Sequence, residues 1–328
     1  MMTPSAPRDS VLGTIGDTPL VRVHASPPEV SVFAKLEAFN PGGSVKDRIG
    51  EYILERLIDR GDLPRRGTVV EPTAGNTGIG MALAAQQLDL DAVFVVPEGF
   101  SVEKEQLMRA LGATVVNTPH DEGMDGAIRK AEAIAADRDD AVVPQQFSTP
   151  LNVDAHYETT GPEIFEALDG EVGAVVAGMG TGGTLMGIAR YAREQDPSIH
   201  VAAVEPAGSE FAALLGKTPD SGEYRTEGIG THQPEIADLV DPSLLDTIHQ
   251  VPDREAHAEV QRLGREEGHL VGSSAAAASV GARRVAESIA DGEIDAPHDA
   301  VVTVFPDSSE RYLSKGIYGS FEEWASDD

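Results

Sequence analysis

Apolar and polar positions along the chain follow two alternating periods. Residues 19–23, 30–36, 68–71, 92–96, 113–117, 172–177, 199–204 and 300–305 form short apolar runs bounded by turn-forming or charged residues, the pattern of strands. Between them the spacing becomes helical. Val45, Ile49, Tyr52, Ile53 and Leu57 make one buried stripe at i, i+4, i+7, i+8 and i+12. Further helices are predicted through residues 81–85, 102–111, 126–136 and 158–168, from the turn at 180–184 to residue 193, over 253–267, and in the alanine-rich stretch after Ser274. Strand and helix in alternation imply βαβ units and a mostly parallel sheet. Residues 216–234, rich in Gly, Pro, Thr and charge, read as a long surface loop.

The polar loops share a position in this pattern. Those holding Lys46, Thr73 to Thr77, Gly180 to Thr184, Ser274 and Asp307 each follow the C-terminal end of a predicted strand, the edge at which open α/β sheets bind ligands. In Asn40-Pro41-Gly42-Gly43-Ser44-Val45-Lys46, the Pro and Gly residues break the chain, Ser44 is a predicted N-cap, and Lys46 enters the first helical turn. The positive end of the helix dipole disfavours an ammonium there, which suits an uncharged amine acting on a carbonyl group. A solvated first-turn lysine is the simpler alternative.

Gly180-Thr181-Gly182-Gly183-Thr184 opens a helix after a buried strand, where backbone amides and two hydroxyls can hold a phosphate. Gly178, Gly180 and Gly183 also satisfy G-x-G-x-x-G, and Glu205 ends the next strand where a ribose-binding acid would lie, so a dinucleotide site is a competing reading. That reading leaves Lys46, Asn76 and Ser274 without work. The turn from Thr73 to Gly78 suits a carboxylate or phosphate, or is a capped helix with glycine turns. The nine histidines show no pair at metal-ligand spacing, so core or surface roles are expected of them and no metal is.

Composition narrows the picture. The 328 residues, 41 % hydrophobic, can bury one large core or two smaller ones. Asp and Glu number 55 against 25 Lys and Arg, a net charge of −30 spread along the whole chain. Such a field repels nucleic acid and anionic membranes, so neither is an expected partner. Lysine is confined to positions 35, 46, 104, 130, 217 and 315. A dispersed acidic surface poor in lysine points to adaptation to concentrated salt, where self-repulsion is screened. The absence of cysteine excludes disulfides and thiolate metal sites. No run has the length of a membrane span and residues 1–10 lack a signal-peptide core, so a cytoplasmic protein is expected.

Together the loops resemble the fold-type-II pyridoxal-phosphate enzymes, specifically the family of cysteine synthase (O-acetylserine sulfhydrylase) and cystathionine β-synthase. The matching stretches are Gly16-Asp17-Thr18-Pro19-Leu20, residues 40–48 and 71–78, Gln146-Phe147, Thr159-Thr160-Gly161-Pro162-Glu163-Ile164, residues 180–184, Glu227-Gly228-Ile229-Gly230, and Pro306 with Glu310-Arg311-Tyr312. They run in family order over nearly the whole chain.

The resemblance implies two three-layer α/β domains of the tryptophan synthase β-like type with the active site between them. Residues 1–44 plus 155–328 would form the larger, cofactor-phosphate-binding domain, and 45–154 the smaller, mobile domain for the substrate carboxylate. The implied cofactor is pyridoxal 5′-phosphate. Lys46 would form its Schiff base and serve as the catalytic base, and Asn76 would bond its 3′-oxygen. Gly180, Thr181, Gly182, Gly183 and Thr184 would hold its phosphate, Ser274 would face its ring nitrogen, and Pro306 and Asp307 would line it. Thr73, Ala74, Gly75, Asn76, Thr77, Gln146 and Gly228 would take the substrate.

The implied reaction is β-replacement through an aminoacrylate. It makes L-cysteine from O-acetyl-L-serine or O-phospho-L-serine and sulfide, with serine plus homocysteine as the alternative pair; a non-catalytic relative is a further alternative, against which intact Lys46, Asn76 and Ser274 argue. A homodimer is implied, and serine acetyltransferase is a possible partner that no residue signals. Three positions depart from the family pattern: Ala74 and Ser309 replace a usual serine and glycine, and Ala276 a usual glycine. The first bears on the choice of substrate.

Overall fold

The computed structural model describes residues 7–24, 27–219, 222–233 and 237–325. Its elements follow the predicted alternation. Strands β1 (Leu20–Val23) and β2 (Ser31–Leu36) precede α1 (Lys46–Arg60), β3 (Thr68–Pro72), α2 (Asn76–Gln87), β4 (Asp91–Pro97), α3 (Val102–Ala110), β5 (Thr114–Thr118), α4 (Gly123–Ala136) and β6 (Ala141–Val142). Helix α5 (Leu151–Ala155) then passes through a π-helical turn, His156–Thr160, into α6 (Gly161–Ala167). Next come β7 (Ala174–Gly178), α7 (Gly183–Gln195), β8 (His200–Pro206) and β9 (Thr247–Val251). The chain continues with α8 (Asp253–Arg262), α9 (Ser273–Ala290), β10 (Ala300–Phe305) and α10 (Phe321–Trp324).

Two strands escape the hydrophobic pattern. β6 is two residues long, and β9 lies at a sheet edge with only Ile248 and Val251 buried, so neither needs a continuous apolar run. Of the loop expected at 216–234, residues 216–219 and 222–233 contain no helix or strand, and 220, 221 and 234 lie outside the described residues.

The chain divides into two compact units, Met1–Thr18 with Phe39–Pro144, and Pro19–Ala38 with Gln145–Asp328. This division differs from the expected one: the boundaries expected at 44/45 and 154/155 lie at 38/39 and 144/145, and the segment before Pro19, expected in the larger domain, belongs to the first, smaller unit. Local hydrogen bonds account for the shift. Asn40 accepts from the Gly16 amide and donates to the Ser44 carbonyl, which ties residues 39–44 to α1. Asn152 donates to the Gln146 carbonyl and to Thr181, which ties residues 145–154 to the second unit.

The first unit carries a parallel sheet in the order β5-β4-β3-β6. Val70, Val93 and Val95 pack against Ala127 and Ala131 of α4. Phe94 and Val96 alternate with them and are buried on the other face. Helix α2 is built from small residues and is buried from Thr77 to Ala85. It crosses α1 at two glycines. A Cβ on Gly50 would lie 2.5 Å from the Gly80 carbonyl carbon, and one on Gly80 would lie 2.4 Å from the Lys46 carbonyl oxygen. Backbone contact this close is possible only without side chains, and it brings the start of α1 against α2.

The second unit has the order β1-β2-β10-β7-β8-β9, with β1 antiparallel and the rest parallel. Both faces are covered. Val32, Ala34, Val176, Val204 and Val301 pack with α8 and α9, while Val175, Ala177, Val201 and Val302 pack with α6 and α7. Among the described residues no helix is long and apolar enough to cross a membrane, and no group of three or more His, Cys, Asp or Glu could hold a metal ion.

Candidate active site

In the first unit the 40–48 stretch is held from within. The Asn40 amide accepts from Gly16 N at 2.9 Å, Asp47 accepts from Gly42 N at 2.5 Å, and Arg48 donates to Thr18 Oγ1 at 3.2 Å. Asn40, Asp47 and Arg48 are all buried. These bonds explain why Gly16 and Thr18 sit in a matching stretch, a role that no local pattern assigns them. Ser44 is not the N-cap of α1. Val45 occupies that position, and Ser44 Oγ accepts from the Lys46 amide at 3.2 Å, bracing the turn instead. Lys46, half-buried, begins the helix. Burial lowers its amine from the ordinary 10.5 to about 8. The cause is desolvation of the ammonium rather than the dipole invoked from the sequence, and it answers the solvated-lysine alternative.

Helix α2, which crosses α1 beside Lys46, carries the second set of candidates. Gly75 is its N-cap, extended and without a side-chain cap. Thr73 Oγ1 accepts from the Gly75 amide at 3.3 Å, so it shapes the turn rather than capping the helix. The N-cap residue thus offers no side-chain cap, and the turn Thr73, Ala74, Gly75, Asn76 and Thr77 forms a helix start of a kind suited to an anion. Thr73 and Thr77 are buried, and Ala74, Gly75 and Asn76 are half-buried.

In the second unit the candidate loops gather at the C-terminal edge of the sheet. β7 and β10 are parallel neighbours, so the loops after Gly178 and Phe305 emerge side by side. Gly182 is the N-cap of α7, left-handed at φ 88°, with no side-chain cap. A Cβ on Gly180 would lie 2.5 Å from the Gly228 carbonyl oxygen, and one on Gly178 2.7 Å from Ile229 Cγ2. A Cβ on Gly182 would lie 2.6 Å from Val240 Cγ2. These glycines thus have packing reasons of their own, so the glycines alone do not distinguish a phosphate cradle from a structural turn. The threonines and the uncapped helix start are what point to a phosphate.

Thr184 Oγ1 lies 3.1 Å from His156 Nε2, and His156 Nδ1 lies 2.9 Å from Thr160 Oγ1. His156 is fully buried on the π-helical turn. Sequence reasoning places it only among core or surface histidines; its four-residue spacing from Thr160 is the one local signal. Gly187 makes room for it, since a Cβ there would meet His156 Cβ at 2.6 Å.

The start of α9 adjoins the same loops. Ser273 Oγ accepts from the Glu227 amide at 3.2 Å, which occupies Ser273 in holding the 227–230 loop. Ser274, also buried, follows it. Val271 bridges to Ser308, and a Cβ on Gly272 would lie 2.5 Å from Asp307 Oδ1. Tyr312 donates to Asp307 Oδ2 at 2.5 Å. Burial, together with the adjacent carboxylate, raises the Tyr312 pKa well above its ordinary value, burial being the larger cause. Pro306 is half-buried, Gln146 buried and Gly228 exposed. A cavity of about 520 Å³ at the other edge of this sheet, lined by Val172, Ile199 and His298 among others, contains none of the candidate residues.

Glu205 decides against the dinucleotide reading. It is fully buried, and its carboxylate accepts from the amides of Phe211 and Ala212 at 2.8 and 3.0 Å and from Gln250 at 3.1 Å. A carboxylate so engaged is not available to a ribose. The residues do fit pyridoxal phosphate: an amine of lowered pKa for the aldehyde, and an uncapped α7 with two threonines for the phosphate dianion.

The chain matches the family described as "Pyridoxal-phosphate dependent enzyme" over residues 11–307. It is 44 % identical to the O-acetylserine dependent cystathionine beta-synthase of Bacillus subtilis over 306 residues, 93 % of this chain and 95 % of that protein. It is 43 % identical over 309 residues to a cysteine synthase of Helicobacter pylori, 93 % and 96 % of the two chains. The crystal structure of O-acetylserine dependent cystathionine beta-synthase from Helicobacter pylori matches with a TM-score of 0.85 at 41 % identity, covering 96 % of this chain and 100 % of that one. A lysine of lowered pKa, a phosphate-type helix start and a family match across both units thus agree, and the chain belongs to the pyridoxal-phosphate dependent enzymes.

Proposed function

We propose that this enzyme catalyses β-replacement on an amino acid, making L-cysteine from O-acetyl-L-serine, or O-phospho-L-serine, and sulfide. The observation that carries this reading is Lys46, with its amine lowered to about 8, set where α1 crosses α2 next to the turn 73–77. One unit thereby offers both a base for an α-proton and an anion-binding turn for the carboxylate on the same carbon. Pyridoxal phosphate, when bound, supplies the electron sink that lets a group leave from Cβ.

The chain's own residues do the rest. Lys46 takes the α-proton and later returns it, a task that favours a base titrating near neutrality. Thr73, Asn76 and Thr77 bind the substrate carboxylate through hydroxyl, amide and backbone donors, with Gln146 and Gly228 contributing. Ala74 supplies only its backbone there. Closing of the turn on the carboxylate excludes water. Gly180 to Thr184 hold the cofactor phosphate, Asn76 its 3′-oxygen, and Pro306 and Asp307 line it. Ser274 meets the ring nitrogen, while Ser273 Oγ holds the Glu227 amide. The larger unit on this reading serves the cofactor phosphate and the smaller, mobile one the substrate carboxylate.

A second reading has homocysteine as the sulfur nucleophile, favoured by the name of the Bacillus subtilis relative. Product analysis separates the two: O-acetylserine, O-phosphoserine and serine, each offered with sulfide and with homocysteine. Cysteine from O-acetylserine and sulfide is the expected fastest product. Cystathionine formed fastest would establish the second reading, and no β-replacement with any pair would overturn both.

Ser274→Ala is expected to lower turnover by about 2- to 13-fold, the worth of one hydrogen bond of roughly 0.5–1.5 kcal/mol, with little loss of cofactor. Ser274→Asp is expected to be slower still, since a buried carboxylate would hold the ring nitrogen protonated. Wild-type rates in both variants would remove Ser274 from the ring.

Three further expectations belong to this reading: a homodimer, a cytoplasmic location, and adaptation to concentrated salt. The last has support in the placement of lysine. Lys35 and Lys104 are buried and Lys46 half-buried, so only Lys130, Lys217 and Lys315 are exposed.

A further inference from the structure

Asn152, on α5, is fully buried beneath the 180–184 loop. Its Nδ2 donates to the Gln146 carbonyl at 2.8 Å and to Thr181 Oγ1 at 3.2 Å. A carbonyl oxygen only accepts, so the amide nitrogen must face it, and this settles the orientation of the side chain. Thr181 Oγ1 receives a second bond, from the Gly183 amide at 3.3 Å. A hydroxyl has two lone pairs and one hydrogen. Both lone pairs of Thr181 are directed at N–H donors, and its hydrogen is left to point elsewhere.

The other end of the Asn152 amide adds a second observation. Its Oδ1 is buried without a hydrogen-bond partner, and a Cβ on Gly183 would lie 2.0 Å from it. Gly183 must therefore be glycine for the amide to fit under the loop. An unpaired buried carbonyl is destabilising. An apolar side chain would fill the space without that penalty, so the amide is kept for what its nitrogen does.

We propose that Asn152 is a positioning residue that makes the Thr181 hydroxyl an obligate donor to the cofactor phosphate and ties the phosphate loop to Gln146. The inference rests on the reading of the 180–184 loop as the phosphate site. An anion accepts hydrogen bonds and never donates them, so a hydroxyl with only its hydrogen available is oriented for the phosphate before it arrives. Little rotational freedom is then lost on binding. Asn152 acts through Thr181 and need not touch the cofactor.

The test measures equilibrium binding of pyridoxal 5′-phosphate and of phosphate-free pyridoxal to the full-length chain after removal of its cofactor. Wild type, Asn152→Ala, Thr181→Val and the double variant are compared by absorbance. Asn152→Ala is expected to weaken pyridoxal 5′-phosphate by about 10- to 100-fold, the range for a hydrogen bond to a charged group, and pyridoxal by less than about threefold. The double variant is expected to bind no more weakly than Thr181→Val, since there is no hydroxyl left to orient.

Equal weakening of both ligands would mean that Asn152 only supports the fold, and additive losses would mean that it does not act through Thr181; either result overturns the proposal. Thr181→Val with unchanged affinity for pyridoxal 5′-phosphate would instead overturn the phosphate-site reading itself. Should Asn152→Ala not fold, Asn152→Asp carries the same comparison at nearly constant volume. Its carboxylate would capture the Thr181 hydrogen, so a still larger selective loss is expected, and an unchanged preference for the phosphorylated ligand would overturn the proposal.

Discussion

Replacing Lys46 with alanine is expected to abolish the visible absorbance of the bound cofactor and to lower β-replacement by on the order of 10³-fold or more. The expectation rests on the alternatives available to the chain as much as on Lys46. Lys35 is held at 2.7 Å by Glu163, Lys104 is buried in α3, and the other three lysines are exposed. Borohydride reduction followed by peptide mapping should label Lys46, and a label on another lysine would overturn the assignment.

Titration gives an independent check on Lys46. An amine with a pKa of about 8 is half neutral at pH 8, whereas an ordinary lysine is then less than about 1 % neutral. Reloading of the cofactor-free protein should accordingly accelerate as pH rises through 8, well short of 10.5. The same shift bears on stability. The unfolded chain holds this proton more tightly than the folded one, so the penalty is full below pH 8 and is relieved between about 8 and 10.5. The difference amounts to roughly 3 kcal/mol. Cofactor-free wild type should gain stability across that window relative to Lys46→Met, and parallel profiles would count against a buried amine.

Melting temperature should rise by on the order of ten degrees or more between about 0.01 and 1 M sodium chloride, since each kcal/mol is worth roughly 2–4 °C in chains approaching this size. The net charge of −30 places mutually repelling carboxylates over the surface, and only three lysines are exposed among them. The screening length falls from about 30 Å to about 3 Å over that range, removing all but the nearest repulsions. Screening also predicts the shape of the curve. The steepest part should lie at low salt, where the screening length changes most, rather than at molar salt, where general exclusion of salt from the protein surface acts. A melting temperature flat over the range would remove the case for salt adaptation.

Much of the candidate site is legible in the amino-acid sequence. Lys46, the turn 73–77, the loop 180–184, Ser274 and Asp307 can all be picked out from their places after predicted strands, because helix periods, turn residues and small-residue helix starts are local properties of the chain. The same local signals misassign roles where the partner is distant in sequence. Ser44 looks like an N-cap until the actual start of α1 is known. Glu205 looks like a ribose ligand until Phe211, Ala212 and Gln250 are found on its carboxylate.

The glycines show where local reading ends. From the sequence, Gly180 and Gly183 read as a phosphate cradle; in the fold they are the places where the Gly228 carbonyl and the Asn152 amide come too close for a side chain. Gly50 and Gly80 carry no sequence signal at all, yet their contact brings the backbone of Lys46 against α2. Asn152 and His156 are equally silent, since nothing within their own segment shows that Thr181 and Thr184 will lie above them. The sequence by itself determined the alternation of strands and helices, the acidic surface and the residue types at the strand ends, because each depends on neighbours within a few positions. Tertiary structure alone decided which polar atoms are engaged, how closely helices cross and how far Lys46 is desolvated, because those depend on groups that meet only when remote segments pack together.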